Sequence, residues 1–233
     1  MTTATLPTGR TPKTAGRVAS NEDAMPAEIT SADTFGQAIT GTIRALAIES
    51  VLEVGSFDGL GSTQVIIAAL RHASAPRLTC LEAEPMRYRE LVLNTIRHPW
   101  VECVCQSSIS MDSLTPRDFD RDVWDSPHNG LRYPREVVRG WWDETMRHLL
   151  DVEAGYLETS RERYDAALID GSEFCGYDDY RLVKDRVRCL MLDDVFHAYK
   201  CAKAHRELGD DPAWRLVWCD SGVRNGAAIW MRK

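Results

Sequence analysis

The segment Glu53-Val54-Gly55-Ser56-Phe57-Asp58-Gly59-Leu60-Gly61-Ser62-Thr63 places an acid, closely spaced glycines and small hydroxyls in one short stretch. Glycine lets a backbone turn sharply and lets a ligand approach closely, and a helix opening at the end of such a loop offers N–H groups to a carboxylate or phosphate. The spacing is G-x-x-x-G-x-G, not the G-x-G-x-x-G of a dinucleotide site. An acid two residues before Gly55 also suits an ammonium group better than a pyrophosphate. A nucleoside bearing an amino acid, with both ammonium and carboxylate, fits this loop best, through Glu53, Gly55, Ser56, Asp58, Gly59 and Ser62.

Two later apolar runs also end in acid: Leu168-Ile169-Asp170-Gly171 and Met191-Leu192-Asp193-Asp194. Strand ends in an open α/β sheet converge on one crevice, which would bring Asp170, Asp193 and Asp194 together. Carboxylates so placed repel one another unless a cation or a shared proton offsets them. A divalent ion such as Mg2+ answers that need, since it takes oxygen ligands and leaves positions for substrate hydroxyls. In the competing reading Asp170 alone acts as general base and Asp194 caps the next helix. His197, close to both acids in sequence, is a candidate for substrate contact or proton transfer. His197, Cys201 and His205 would share one helix face, but such a row spans roughly 12 Å, too far for one ion, so packing is the better account.

These groups need a scaffold that brings strand ends together, and the apolar periodicity supplies one. Phe35 to Ile48 has helical spacing and leads into the short apolar strand Val51–Val54. Gly59 to Leu70 reads as a helix, Arg77 to Leu81 as a strand, Pro85 to about Arg97 as a helix with proline in its first turn, and Trp100 to Cys105 as a strand. Such β-α alternation predicts a parallel sheet with crossover helices. It stops between 107 and 163, an interval too long for an ordinary connection, where the spacing predicts a helix from Pro134 to Leu150. That insertion reads equally as a lid or substrate wall and as an extra packing helix. Strands resume at Tyr164–Asp170 and Val187–Leu192, a helix follows from Val195 to Leu208, and Trp214–Cys219 with Gly226–Trp230 forms a closing hairpin. The expected fold is α/β: a Rossmann-like, doubly wound, mostly parallel sheet of seven strands with a C-terminal antiparallel hairpin.

The 233 residues, 44% of them hydrophobic, suit one domain at 33–233 behind a disordered tail at 1–32, where Pro7 and Pro12 interrupt any helix. A net charge of −7 argues against a nucleic-acid surface, and no apolar run approaches the ~20 residues that span a bilayer. Seven scattered cysteines without a C-x-x-C pair read as reduced thiols in a cytoplasmic protein.

With these motifs in this order, the sequence resembles the class I S-adenosylmethionine-dependent methyltransferases, whose first motif is acidic-x-G-x-x-x-G. The resemblance covers roughly 35–233. It implies that the glycine loop holds the methionine moiety, that Glu82, at the end of the second strand, accepts both ribose hydroxyls, and that Ser107 and Ser108 lie near the adenine. Glu84 is the alternate for the ribose, although a helix N-terminal role suits it better. An Asp-Gly turn followed by a later Asp-Asp is similar to the metal-dependent small-molecule and sugar O-methyltransferases, except that Ser172, Glu173 and Phe174 stand where those enzymes often have a histidine.

Motifs of hydrolases, nucleotide triphosphatases and base-modifying methyltransferases are missing. The reading is therefore S-adenosylmethionine-dependent methylation of a hydroxyl on a small molecule, a sugar or a secondary metabolite. Asp170 and His197 would be catalytic, Asp170 would also meet the cofactor, and Asp170, Asp193 and Asp194 would hold the ion. The expected partners are the small-molecule acceptor and further copies of the chain; nucleic acid and membrane are not expected. The alternatives are a nicotinamide-type Rossmann oxidoreductase, which the glycine spacing disfavours, and a non-catalytic S-adenosylmethionine-binding module, which three convergent carboxylates argue against.

Overall fold

The expected β-α alternation is present in the computed structural model, which describes residues 29–127, 133–196 and 199–233. Helix α1 (Thr34–Ala45) feeds β1 (Ser50–Val54), α2 (Ser62–Leu70) feeds β2 (Arg77–Glu82), and α3 (Pro85–Thr95) feeds β3 (Val101–Cys105). After the insertion come β4 (Ala166–Ile169), α6 (Gly176–Val183), β5 (Cys189–Asp193), α7 (Tyr199–Asp210), β6 (Trp214–Asp220) and β7 (Ala227–Arg232). The sheet order is β3-β2-β1-β4-β5-β7-β6. Strands β1 to β5 pair in parallel, and β7 runs antiparallel to both its neighbours. The order turns about β1, so the loops after β1 and β4 leave the sheet side by side at its centre, where ligands enter open α/β sheets.

Strands β1, β4 and β5 are covered on both faces, and their mostly apolar, continuously buried runs follow from that. Val51, Leu78, Leu168 and Met191 pack with α1 and α2 on one face; Leu52, Ala167, Leu190 and Leu192 pack with α6 and α7 on the other. Ile29, which the sequence assigns to the tail, is buried in the first of these cores, while 1–28 lie outside the described residues. Helix α3 begins as expected, with Pro85 in its first turn and the Glu84 carboxylate accepting from the N–H groups of Met86 and Arg87.

The insertion carries a short 3-10 turn, a π-helical turn (Phe119–Trp124), α4 (Arg135–Leu150) and α5 (Tyr156–Thr159). Val138, Trp142 and Leu149 of α4 build a third core with Phe119, Val123, Phe174 and Tyr199. The ring of Trp142 meets Phe174 edge-on at 5.3 Å between centroids. This side of α4 packs, and the neighbouring side lines a cavity. No helix among the described residues is long and apolar enough to cross a membrane.

Candidate active site

The loop after β1 is organised from below by a buried carboxylate. Glu53 is fully buried, and its oxygens accept from the hydroxyls of Ser56 (2.8 Å), Ser62 (2.6 Å) and Thr63 (2.7 Å) and from the Cys80 thiol (3.3 Å). Burial raises its pKa and these donors pull it back. The expectation that Glu53 meets a ligand ammonium is therefore corrected. It points into the protein, and its role is to pin both ends of the glycine loop. Sequence spacing placed it at the right loop but could not tell an inward from an outward side chain.

The glycines divide in the same way. Gly55 adopts φ +86°, and a Cβ there would lie 2.3 Å from the Asp170 carbonyl oxygen, so the loops after β1 and β4 touch through it. Gly59 instead turns against Leu91 of α3, away from the cavity. Helix α2 starts at Ser62 without a side-chain cap. Its first N–H groups therefore face the loop without a protein side chain to bond them.

A cavity of about 550 Å3 opens above this loop. Gly55, Ser56, Asp58 and Ser62 form one wall; Glu82, Gln106, Ser107 and Ser108, at the ends of β2 and β3, form the next. Glu82 accepts from the backbone N–H groups of Phe57 (2.9 Å) and Glu84 (2.8 Å), one on each oxygen, and burial raises its pKa. Asp58 bonds the N–H of Leu60. Ser107 turns its hydroxyl to the Ile109 carbonyl, and Gln106 donates to the carbonyl of Ala154. The far wall is the loop after β4, from Asp170 to Cys175, with Trp141, Glu144, Thr145 and His148 of α4 above it. The Thr145 and Ser172 hydroxyls, 3.2 Å apart, tie the two together. No lysine or arginine lines the cavity among the described residues.

Asp170, Asp193 and Asp194 do come together, as expected, but only Asp170 reaches the cavity. The cation between them is the Lys200 ammonium, 2.8 Å from Asp170 Oδ1, 2.8 Å from Asp194 Oδ2 and 3.9 Å from Asp193 Oδ2. Arg224 donates to Asp193 at 2.7 Å. Burial raises the pKa of Asp170, opposed by Lys200, and raises that of Asp193, reinforced by Asp170. Burial works against the charge of Lys200, yet the surrounding carboxylates hold its pKa above the ordinary value. Among the described residues no cluster of His, Cys, Asp and Glu is arranged to hold an ion. The expected Mg2+ does not fit these residues: the Lys200 ammonium stands between the carboxylates and bonds one oxygen of Asp170 and one of Asp194. Asp194 is not a helix cap either. It adopts φ +55°, and the residues directly after it, Val195 and Phe196, are not helical.

His197 lies outside the described residues. Its expected companions pack: Cys201 is buried, and His205 Nδ1 accepts from Trp230 Nε1 at 3.1 Å. Under the cavity floor, Asp179 of α6 is fully buried with no hydrogen-bond partner on either oxygen. Oδ2 lies 3.7 Å from where a Cβ on Gly171 would stand. Burial outweighs the pull of the nearby Ser108 hydroxyl and pushes its carboxyl up to about 7. Sequence reasoning missed Lys200 and Arg224, because each matters through a partner distant in the chain, and Asp179, whose burial only the packed fold reveals.

No family model matches the sequence, and no curated protein matches it. Solved structures do match in fold. The O-methyltransferase from Bacillus cereus, in complex with S-adenosylhomocysteine (SAH), superposes with a TM-score of 0.54 at 15% identity, covering 89% of this chain and 84% of the other. SAH-bound PaMTH1, a methyltransferase from Podospora anserina, gives 0.52 at 13% identity, with coverage of 85% and 77%. TomG from Streptomyces achromogenes, an O-methyltransferase of tomaymycin synthesis in complex with S-adenosylmethionine, gives 0.52 at 12%, with 85% and 79%. The seven-stranded sheet of this chain, with its central glycine loop and reversed β7, thus has the fold of these methyltransferases.

Proposed function

We propose that this protein transfers the methyl group of S-adenosylmethionine to a hydroxyl of a small molecule, in a cytoplasmic biosynthetic reaction. The observation that carries this reading is the single cavity joining the uncapped start of α2, the Glu82 carboxylate and Asp170. Carboxylates without lysine or arginine along the described wall also suit a ligand of net positive charge, and the fold shared with cofactor-bound O-methyltransferases supports the same choice.

When bound, S-adenosylmethionine supplies a sulfonium-activated methyl group. The first N–H groups of α2 would hold its carboxylate. Glu82 keeps lone pairs on both oxygens beyond its two backbone bonds, enough for two ribose hydroxyls. Ser107, Ser108 and Gln106 would border the base. Asp170, between the glycine loop and α4, would accept the proton leaving the acceptor oxygen, and its raised pKa makes it a stronger base than an exposed aspartate. Trp141, Glu144 and Thr145 would hold the acceptor in line and keep water out. Calorimetry with SAH and NAD tests the reading: SAH should bind and NAD should not, and an absence of SAH binding refutes it.

A further inference from the structure

The carboxylates at the ends of β4 and β5 sit where a methyltransferase could hold a divalent ion, yet their shared space contains a side chain of this chain itself. Lys200 enters from α7 and reaches Asp170 and Asp194 at 2.8 Å each. Its path is built into the fold. A Cβ on Gly176 would fall 2.7 Å from the Lys200 carbonyl oxygen and 2.8 Å from its Cγ, so the lysine stem passes where only glycine leaves room. Asp194 is held at φ +55°, unfavourable for a residue with a side chain, with its carbonyl accepting from the Cys201 N–H. Arg224 bonds Asp193 from the other side and lies 3.9 Å from Asp33. The cluster is nearly closed to solvent: the side-chain exposures of Lys200, Asp193 and Asp194 are 6%, 1% and 8%, against 21% for Asp170. Asp170 is the one member that meets the cavity.

An octahedral Mg2+ needs oxygens at ~2.1 Å and usually keeps several waters. With an ammonium bonded to one oxygen each of Asp170 and Asp194 and a guanidinium on one oxygen of Asp193, every carboxylate has an N–H donor, and the ammonium itself stands in the space an ion would occupy. We propose that Lys200 is a resident cation in place of a divalent ion: a positioning residue that fixes the Asp170 carboxylate at the cavity wall, so that methyl transfer by this protein needs no metal. The proposal rests on the methyltransferase reading for its catalytic half, while the charge arrangement stands without it. An ammonium offers no open coordination position, so the acceptor would not have to chelate through two adjacent oxygens, and a lone hydroxyl would suffice.

The test compares the wild-type chain with Lys200→Ala, with and without millimolar Mg2+ or Mn2+ and after treatment with EDTA, reading thermal stability and SAH affinity. The wild type should be indifferent to both treatments, within about twofold in affinity. Lys200→Ala should melt lower and regain stability with Mn2+ or Mg2+, because emptying the lysine's place leaves carboxylates that can ligate an ion. Saturable metal binding by the wild type with a rise in melting temperature, or a Lys200→Ala variant that ignores metal, overturns the proposal. If Lys200→Ala does not fold, the double variant K200A/D194N, with one unpaired charge fewer, should recover folding; failure to do so also counts against it. Absence of SAH binding to the wild type refutes the methyltransferase reading instead and leaves the metal comparison intact.

Discussion

Asp179 offers a quantitative test of how the floor of the cavity is built. Its carboxyl is fully buried with no close hydrogen-bond donor, and burial outweighs the nearby Ser108 hydroxyl to push its pKa up to about 7, against about 3.9 for an unperturbed aspartate. Below pH ~4 both folded and unfolded chains carry the proton. Between pH ~4 and ~7 the unfolded chain releases it while the folded chain keeps it, so stability must fall as pH rises; above pH ~7 the loss is complete. Three units at 1.36 kcal/mol each give a ceiling of about 4 kcal/mol. About 2.5 kcal/mol of that falls between pH 5 and pH 7.5 by the same relation. Asp179→Asn cannot titrate. A buried amide brings its own unsatisfied groups and shifts stability by a constant, so the informative quantity is the change in the gap between the two chains with pH. Urea unfolding from pH 5 to 7.5 should show the variant gaining on the wild type by about 2 to 3 kcal/mol, and other titrating groups cancel in the difference. Parallel curves would mean that Asp179 is solvated or paired in solution, and the reasoning would fail.

Further outcomes follow from the geometry. Gly55→Ala forces an L side chain to φ +86° against the Asp170 carbonyl; it should cost at least about 2 kcal/mol of stability and weaken SAH binding, checked by denaturation and calorimetry. Glu82→Ala should weaken SAH binding about tenfold or more, whereas Glu84→Ala, which removes a carboxylate engaged in the α3 cap at the cavity rim, should leave affinity within about twofold and cost ~1 kcal/mol of stability. Trp142→Ala opens the core beneath α4 and should cost about 3–5 kcal/mol, with the loss of hydrogen-exchange protection concentrated in 135–150.

The sheet and its loops were legible because local rules govern them. The short apolar runs of β1, β4 and β5, Pro85 behind a capping acid, and the polar turn between the last two strands each fix an element from neighbouring residues. Convergence of Asp170, Asp193 and Asp194 followed from topology alone. What offsets their charge did not, since Lys200 is an ordinary residue on an amphipathic helix until the sheet brings it beneath Asp170, 30 positions away in the chain. The direction of Glu53 was hidden for a similar reason: its inward turn depends on hydroxyls at 56, 62 and 63 folding over it. Gly176, which no turn signal explains, was the available hint that a neighbour passes close by.

The hydroxyl cradle around Glu53 has a thermodynamic consequence. Because this buried carboxylate already fixes the start of the loop, its crest at Ser56 and the first turn of α2, the entropy of ordering these segments is lost when the chain folds and not again when a ligand arrives. Association at this loop then resembles docking onto a rigid surface, with a heat-capacity change set by the area covered and no contribution from local folding. The cradle gives the loop a shape that any ligand bound there would find already formed.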